Sequence, residues 1–139
     1  MSETIGLNRS LVLVAGESTI NRVVVSRVVE RMGLKVRSDR PGAVAAILFS
    51  MVPAIVILDG GAQNRDCDVL LDVLRDLRNA SAGLFPAVIL LSTANHGAED
   101  VPIAPVVDMV VTKPLTIERL QPAIESLRAR NGESAQPPA

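Results

Sequence analysis

The amino-acid sequence predicts a single α/β domain in which helices cover both faces of a parallel sheet. Short, nearly continuous apolar runs alternate with longer segments of helical periodicity, as in strands that are buried on both faces. Aromatic residues make up only 1% of the 139 residues although 48% are hydrophobic, so Val, Ile, Leu and Ala must build the interior. A chain of this length buries about two-thirds of its unfolded surface, and we therefore expect one core.

Five apolar runs are predicted to form the strands of this sheet. Each has a length typical of strands and is separated from the next by a segment long enough to cross over the sheet. The runs cover residues 11–15, 34–37, 54–58, 87–91 and 106–111, of which the second is the weakest. Their arrangement predicts parallel pairing between them.

Helical periodicity predicts the first three helices between these strands. Residues 19–32 repeat valine at helical spacing and are followed by Gly33, which is placed as a C-terminal stop. Residues 41–52 form a largely apolar helix that begins with proline, and Pro53 is expected to end it. Residues 66–78 carry apolar side chains on one face and charges on the other, the pattern of an amphipathic helix.

The last part of the sequence predicts one further helix and two irregular segments. Apolar residues recur at helical spacing from 117 to 127, although Pro122 should kink this helix or limit its first part. Gly and Pro interrupt residues 95–105, so a fourth helix there is expected to be short or absent. Residues 131–139 lack large apolar side chains and are expected to be disordered.

Composition excludes several classes of function. Net charge is -1, from 14 Lys and Arg against 15 Asp and Glu, and no block of one sign suggests nucleic acid or a membrane surface. Proteins are the expected partners. Cys67 is the single cysteine and cannot form an internal disulfide, and one His leaves no Cys/His metal cluster to propose.

The first residues lack the basic region and apolar stretch of a secretory signal. No apolar run approaches the roughly 20 residues that span a bilayer. We therefore expect a cytoplasmic protein, with an N-terminal extension over residues 1–9 and one domain over residues 10–130.

Polar residues follow four of the predicted strands. In an open parallel sheet the ligand site lies beyond the carboxyl ends of the strands, so these residues are the candidates for chemistry. They are Gly16 and Glu17 after the first run, Asp59 after the third, Ser92 and Thr93 after the fourth, and Thr112, Lys113 and Pro114 after the fifth.

These positions resemble the pattern of response regulator receiver domains, in which an acidic pair, a phosphorylated Asp, a Ser or Thr, and a Lys followed by Pro form the site. The resemblance covers residues 11–130 and is clearest at Asp59 and at Lys113-Pro114. Ile20-Asn21-Arg22 is similar to a frequent family opening of the first helix. The resemblance implies a flavodoxin-like doubly wound sandwich of five parallel strands in the order 2-1-3-4-5.

The resemblance also implies a role for each residue of the pattern. Asp59 would be the nucleophile that attacks a phosphoryl group carried on the histidine of a partner. Lys113 would supply an ammonium that neutralises charge during transfer. Ser92 would donate a hydroxyl hydrogen bond to a phosphoryl oxygen, or Thr93 would do so if the fourth strand is one residue longer. We favour Ser92 because the strand before it then has a usual length.

The acidic pair departs from the family pattern. A gapless alignment places Gly16 and Glu17 at its two positions, so one carboxylate is missing. The resemblance then implies a weakened Mg²⁺ site formed by Glu17, Asp59 and the backbone carbonyl of Gly61. Mg²⁺ prefers oxygen ligands and keeps several waters in such sites, which is compatible with an incomplete cage.

The leading hypothesis is a receiver domain in a two-component phosphorelay that accepts a phosphoryl group on Asp59 from a histidine kinase or a histidine phosphotransfer protein. It would signal by binding a downstream protein on the face of the fourth and fifth helical regions, and it would not be an enzyme. The alternative is a pseudo-receiver that signals without phosphorylation. The missing acid, the degraded fourth helix and Val110, which stands where the family often has an aromatic residue, favour this alternative, whereas Asp59, Ser92 and Lys113 favour transfer. A small flavodoxin-like binding protein is a weaker third hypothesis because no phosphate-binding loop follows the first run.

Overall fold

The computed structural model describes residues 6–61, 65–81, 85–93 and 105–130. The described elements form one parallel sheet of five strands in the order β2-β1-β3-β4-β5, flanked by helices. In chain order they are β1 (Gly6–Ala15), α1 (Thr19–Arg31), β2 (Lys35–Asp39), α2 (Pro41–Leu48), β3 (Met51–Asp59), a 3-10 turn (Asp68–Leu70), α3 (Leu71–Ala80), β4 (Ala87–Ser92), β5 (Met109–Thr112) and α4 (Ile117–Arg130). The predicted fold class and strand order are confirmed.

The sheet separates two apolar layers, one on each face. Successive side chains of a strand point to opposite faces, so Val12 and Val14 of β1 pack with α1 and α4, whereas Leu13 packs with α2 and α3. The same alternation in β3 sends Ile57 to the first layer and Leu58 to the second. Both faces of the central strands are therefore buried, which is why their sequences are continuously apolar.

Helix α1 begins at the predicted residue, Thr19, and ends at Arg31, one residue before the predicted end. The Ser18 hydroxyl caps its first turn by accepting a hydrogen bond from the backbone N–H of Asn21, at 3.2 Å. Gly33 follows the helix with φ of +82°, a conformation that glycine adopts without the steric cost of a side chain. Val25 and Val29 face the core and hold the valine-rich helix by packing.

The predicted boundary between α2 and β3 is wrong. Helix α2 ends at Leu48, and Pro53, which was expected to end the helix, lies inside β3. A proline is tolerated there because at this point β3 pairs only with β1, through Asn8, and the ladder with β4 begins at Ile55. The same pairing explains why β1 begins at Gly6, before the first predicted strand residue.

Smaller differences occur elsewhere. The third helix begins as a 3-10 turn at Asp68 instead of at residue 66, and β5 begins at Met109 instead of at residue 106. Helix α4 runs through Pro122 without a break. The predictions for residues 95–104 and 131–139 lie outside the described residues. None of the helices in the described ranges combines the length and the hydropathy that a membrane span requires.

Candidate functional site

The polar strand ends that the sequence singles out converge at one edge of the sheet. Asp59 is the last residue of β3, the central strand, and Ser92 is the last residue of β4. Gly16 directly follows β1, and Lys113 directly follows β5. Because all five strands are parallel, these carboxyl ends lie together, and the candidate site is at this edge.

Asp59 is the buried centre of the site, with 2% of its surface exposed. Its Oδ1 atom accepts from Lys113 Nζ at 2.7 Å and from the backbone N–H of Gly61 at 3.2 Å, and its Oδ2 atom accepts from Asn21 Nδ2 at 2.9 Å. Burial by itself raises the pKa of this carboxyl group, but the hydrogen bonds from Lys113, Asn21 and Gly61 outweigh it and hold the pKa below its ordinary value of 3.8. Asp59 is therefore a carboxylate at neutral pH.

Lys113 reaches this carboxylate from two strands away. Its backbone N–H donates to the carbonyl of Ser92 at 2.9 Å, which continues the pairing of β4 and β5 by one residue. The side chain then crosses the end of β4 to Asp59 on β3. The ion pair therefore ties the fifth strand to the third.

The two hydroxyl candidates after β4 have different positions. Ser92 is buried, and its Oγ donates to the carbonyl of Thr93 at 3.4 Å. Thr93 is less buried, and its Oγ1 donates to the carbonyl of Gly61 at 2.5 Å, which joins the end of β4 to the loop that follows Asp59. The preference for Ser92 as the phosphoryl contact stays a prediction.

Solved structures that resemble this chain include response regulators. The Vibrio cholerae chemotaxis protein CheY4 matches with a TM-score of 0.65 and 17% identity, over 86% of this chain and 99% of that one. A CheY-like receiver domain protein from Methanospirillum hungatei matches with a TM-score of 0.62 and 20% identity, over 96% of this chain and 100% of that one. The chain has the receiver-domain fold.

A third match comes from the complex of the histidine kinase ThkA with the response regulator TrrA, with a TM-score of 0.65 and 18% identity over 85% of this chain and 97% of that one. No protein-family model matches the sequence, and no curated protein sequence matches it significantly. The likeness is therefore one of fold, and the residues of the site must carry any argument about chemistry.

Gly16 is not simply a position from which a carboxylate has been lost. A Cβ atom at Gly16 would lie 2.8 Å from the Cβ of Asp59 and 3.3 Å from its Oδ2 atom, closer than side chains approach each other without a shift. Glycine at residue 16 therefore leaves room for the side chain of Asp59. In this receiver fold, a longer side chain at residue 16 would displace Asp59.

Two residues of the site were missed as functional candidates by the sequence reasoning. Asn21 donates to Asp59, and Arg22 Nη1 donates to the carbonyl of Gly16 at 2.6 Å. The sequence signal for them is the Ile20-Asn21-Arg22 opening of α1, which resembles the family pattern but does not by itself show a contact with Asp59. Both side chains come from the first turn of a helix whose start lies beside the end of β1.

The residues expected to hold Mg²⁺ do not fit that ion in this arrangement. Both oxygens of Asp59 accept hydrogen bonds from internal donors, and the carbonyl of Gly61 accepts from Thr93. Glu17 is exposed. Across the described part of the chain, no three His, Cys, Asp or Glu side chains are grouped so that they could hold a metal ion. Mg²⁺ binding at this site stays a prediction.

Cys67 lies directly beneath the site. Its Sγ is within 3.4 Å of the carbonyl of Asp59 and 3.5 Å of the carbonyl of Ala15, which accept weak hydrogen bonds from the thiol. Burial, followed by the nearby carboxylates of Asp59 and Asp66, raises the pKa of the Cys67 thiol to about 12. The thiol is therefore protonated and packs between β1 and β3.

Proposed function

We propose that this receiver-fold domain is a signalling module that accepts a phosphoryl group on Asp59 from a histidine kinase or a histidine phosphotransfer protein. The observation that carries the proposal is the 2.7 Å ion pair between Lys113 and the ionised Asp59 at the carboxyl edge of the sheet. An ionised carboxylate is the form that acts as a nucleophile, and the ammonium beside it is a charge that can neutralise an incoming phosphoryl group. The domain would act by binding, not by turning over a substrate.

The proposed transfer needs few groups. An oxygen of Asp59 attacks the phosphorus of a phosphohistidine, the phosphorus–nitrogen bond breaks, and the nitrogen of the histidine keeps the electron pair. The product is an acyl phosphate on Asp59. Lys113 would then move from the carboxylate to a phosphoryl oxygen, and the hydroxyl of Ser92 or Thr93 would donate to another.

The same contacts supply a route for the signal. Lys113 is joined through its backbone to the end of β4 and through its side chain to Asp59. A phosphoryl group on Asp59 would place its oxygens farther from the β3 backbone than the carboxylate oxygens are. The Lys113 ammonium would have to move to contact them, and β5 and the start of α4 would shift with it. A downstream protein would read that change on this side of the domain.

The surface of α1 supports a protein as the phosphoryl donor. Ile20 is 75% exposed, and Val23 and Val24 beside it are also exposed, together with Ile117 at the start of α4. Asn21, which contacts Asp59, lies on the same helix, so this apolar surface borders the site. Exposed apolar side chains grouped in this way are typical of protein contact surfaces.

The experiment that tests the proposal is phosphorylation by a small donor. Acetyl phosphate should add one phosphoryl mass to the wild-type protein, measured by intact mass spectrometry, and none to Asp59→Asn. Asp76→Asn is a matched control, since Asp76 is an exposed carboxylate on α3. An equal mass gain in the wild type and Asp59→Asn would refute the assignment of Asp59.

A second candidate function is a phosphorylation-independent interaction module. The observation that favours it is the Asn21 amide on Oδ2 of Asp59, which occupies the oxygen that Lys113 leaves free. In that case acetyl phosphate leaves the mass of the wild type unchanged. A partner that binds α1 would then bind wild type and Asp59→Asn with the same affinity.

A further inference from the structure

We propose that Asn21 and Arg22 take the place of a divalent cation at this site, so that Asp59 is held, and is phosphorylated, without Mg²⁺. The second half of this inference rests on the proposed function. The first half concerns metal binding alone and can be tested without any phosphoryl transfer.

The first argument is the occupation of the Asp59 carboxylate. An ionised carboxylate has about four lone-pair positions. Lys113, Gly61 and Asn21 already donate to three of them. The Asn21 amide donates its N–H to Oδ2, the oxygen that does not contact Lys113. One lone-pair position, on Oδ2, is left for a metal ion, and Lys113 already compensates the negative charge that would attract the ion.

The position of Asn21 is built into the fold. Its backbone N–H is bonded to the Ser18 hydroxyl that caps α1, and its side chain is partly buried. The amide therefore extends from a fixed first turn of helix to Asp59, 38 residues further along the chain. Such a contact is already in place before any ligand arrives.

Arg22 adds a permanent positive charge at the end of β1. Its Nη1 atom donates to the carbonyl of Gly16 at 2.6 Å, and its Nη2 atom donates to the hydroxyl of Thr19 at 3.3 Å. Gly16 and Glu17 are the residues that align with the acidic pair, so a guanidinium contacts the segment on which a carboxylate pair would attract a metal ion. A fixed cation repels a divalent ion and attracts a phosphoryl group.

Gly16 closes the remaining route to a metal site. The contact that a Cβ atom would make with Asp59, at 2.8 Å, prevents a carboxylate from being carried at residue 16 without moving Asp59. Glu17 and Asp66 are further acids near this edge of the sheet, and both side chains are exposed. Asn21 and Arg22 supply hydrogen bonds and positive charge in place of a cation. Independently, Gly16 leaves no room for a carboxylate that could bind one.

The direct test is a Mg²⁺ titration followed by amide NMR, because the chain has no Trp or Tyr to report binding by fluorescence. Wild type should show no saturable shifts at Gly16, Asp59 and Gly61 at millimolar Mg²⁺. Asn21→Asp replaces the donor with a second carboxylate beside Asp59, and it should tighten Mg²⁺ binding by about tenfold or more. Asn79→Asp, the same charge change at an exposed position of α3, should have no effect.

Arg22→Gln provides a second variant in case Asn21→Asp disturbs the helix start. Removing the guanidinium charge should also tighten Mg²⁺ binding, by less than Asn21→Asp, whereas Arg27→Gln on the exposed face of the same helix should not. The inference is overturned if wild type binds Mg²⁺ at submillimolar concentration and loses that binding in Asp59→Asn. It is also overturned if neither Asn21→Asp nor Arg22→Gln changes the affinity.

Phosphorylation by acetyl phosphate separates this inference from the proposed function. Equal mass gain of the wild type with Mg²⁺ and with EDTA supports both. Mass gain only with Mg²⁺ supports the proposed function and overturns the inference. No mass gain under either condition overturns phosphoryl transfer to Asp59, and the NMR titration still decides whether Asn21 and Arg22 replace the metal.

Discussion

The ion pair Lys113–Asp59 and the ion pair Arg78–Asp108 have the same shortest nitrogen–oxygen distance, 2.7 Å. Both carboxylates are almost buried, with 3% of the Asp59 side chain and 8% of the Asp108 side chain exposed. They differ in their place on the sheet and in the groups that surround them. The Arg78–Asp108 pair joins a helix to the sheet, whereas the Lys113–Asp59 pair lies where the proposed phosphoryl transfer would take place.

The Arg78–Asp108 pair lies at the amino ends of β4 and β5. Arg78 donates through both terminal nitrogens to the two oxygens of Asp108, and its Nη1 atom also donates to the carbonyls of Pro86 and Val106. Asp108 accepts in addition from the backbone N–H of Val88 at 2.8 Å. The bidentate guanidinium contact joins α3 to both strands and is directional.

The Lys113–Asp59 pair lies at the carboxyl ends, where ligands bind in this class of sheet. The ammonium makes one contact to one oxygen, and Asn21 and Gly61 satisfy other positions of the carboxylate. A lysine is a point charge on a flexible stem and can follow a moving partner. This pair is therefore the one in which the lysine can leave the carboxylate for a phosphoryl oxygen.

The largest predicted effect on stability follows from breaking the Arg78 pair. Arg78→Leu leaves the buried carboxylate of Asp108 without its cation, and breaking a buried pair in this way costs about 3–5 kcal/mol of the free energy of unfolding. Urea denaturation followed by far-ultraviolet circular dichroism measures the loss.

Arg75→Leu is the matched control for this variant. Arg75 pairs with Asp72 at 2.8 Å on the same helix, but the two side chains are 61% and 82% exposed. Because water screens the pair, we expect a loss below about 1 kcal/mol. Equal losses in the two variants would mean that the Arg78 pair is not a structural clamp.

A smaller loss is predicted for Asp59→Asn. The amide keeps the shape of the carboxylate, and Lys113, whose side chain is partly exposed, can turn towards water. We expect a loss of about 1 kcal/mol in the free energy of unfolding, together with complete loss of phosphorylation. A loss as large as that of Arg78→Leu would mean that the Lys113–Asp59 pair maintains the fold and does not release Lys113 to a phosphoryl group.

Lowering the pH should reduce the difference in the free energy of unfolding between wild type and Asp59→Asn. The pKa of Asp59 is lower in the folded protein than its ordinary value of 3.8, so its ionised form contributes stability above that value. This contribution is lost as pH falls through the folded pKa. Unfolding measured at about pH 6, 4.5 and 3 should show wild type losing more stability than the variant below about pH 4. A stability difference that stays constant with pH would mean that the contacts of Asp59 do not lower its pKa in the folded protein.

The last prediction concerns the rate at which Cys67 reacts. With its pKa raised to about 12, the buried thiol should react with a disulfide reagent at pH 8 only when the edge of the sheet opens. Arg78→Leu should accelerate labelling more than Asp59→Asn because it lowers the free energy of unfolding further. Rapid labelling of the wild type would mean that β1 and β3 separate readily beneath the site.

Much of this fold could be predicted from local pattern. Strands buried on both faces require continuous apolar runs, and the strands found overlap all five of the predicted runs. The end of α2 was mispredicted because a proline that usually stops a helix lies instead in a strand segment paired on one side, at Asn8. That pairing joins residues far apart in the chain and leaves no local signal.

Part of the candidate site could likewise be predicted from the sequence, and part could not. The types and strand-end positions of Asp59, Ser92 and Lys113 follow from the sequence, because a parallel sheet brings its carboxyl ends together whatever the details of packing. The contacts of Asn21 and Arg22 and the need for glycine at residue 16 were decided only by tertiary structure. They depend on how closely β1 approaches β3 and on the direction in which the first turn of α1 points, and both are set by the packing of the whole domain.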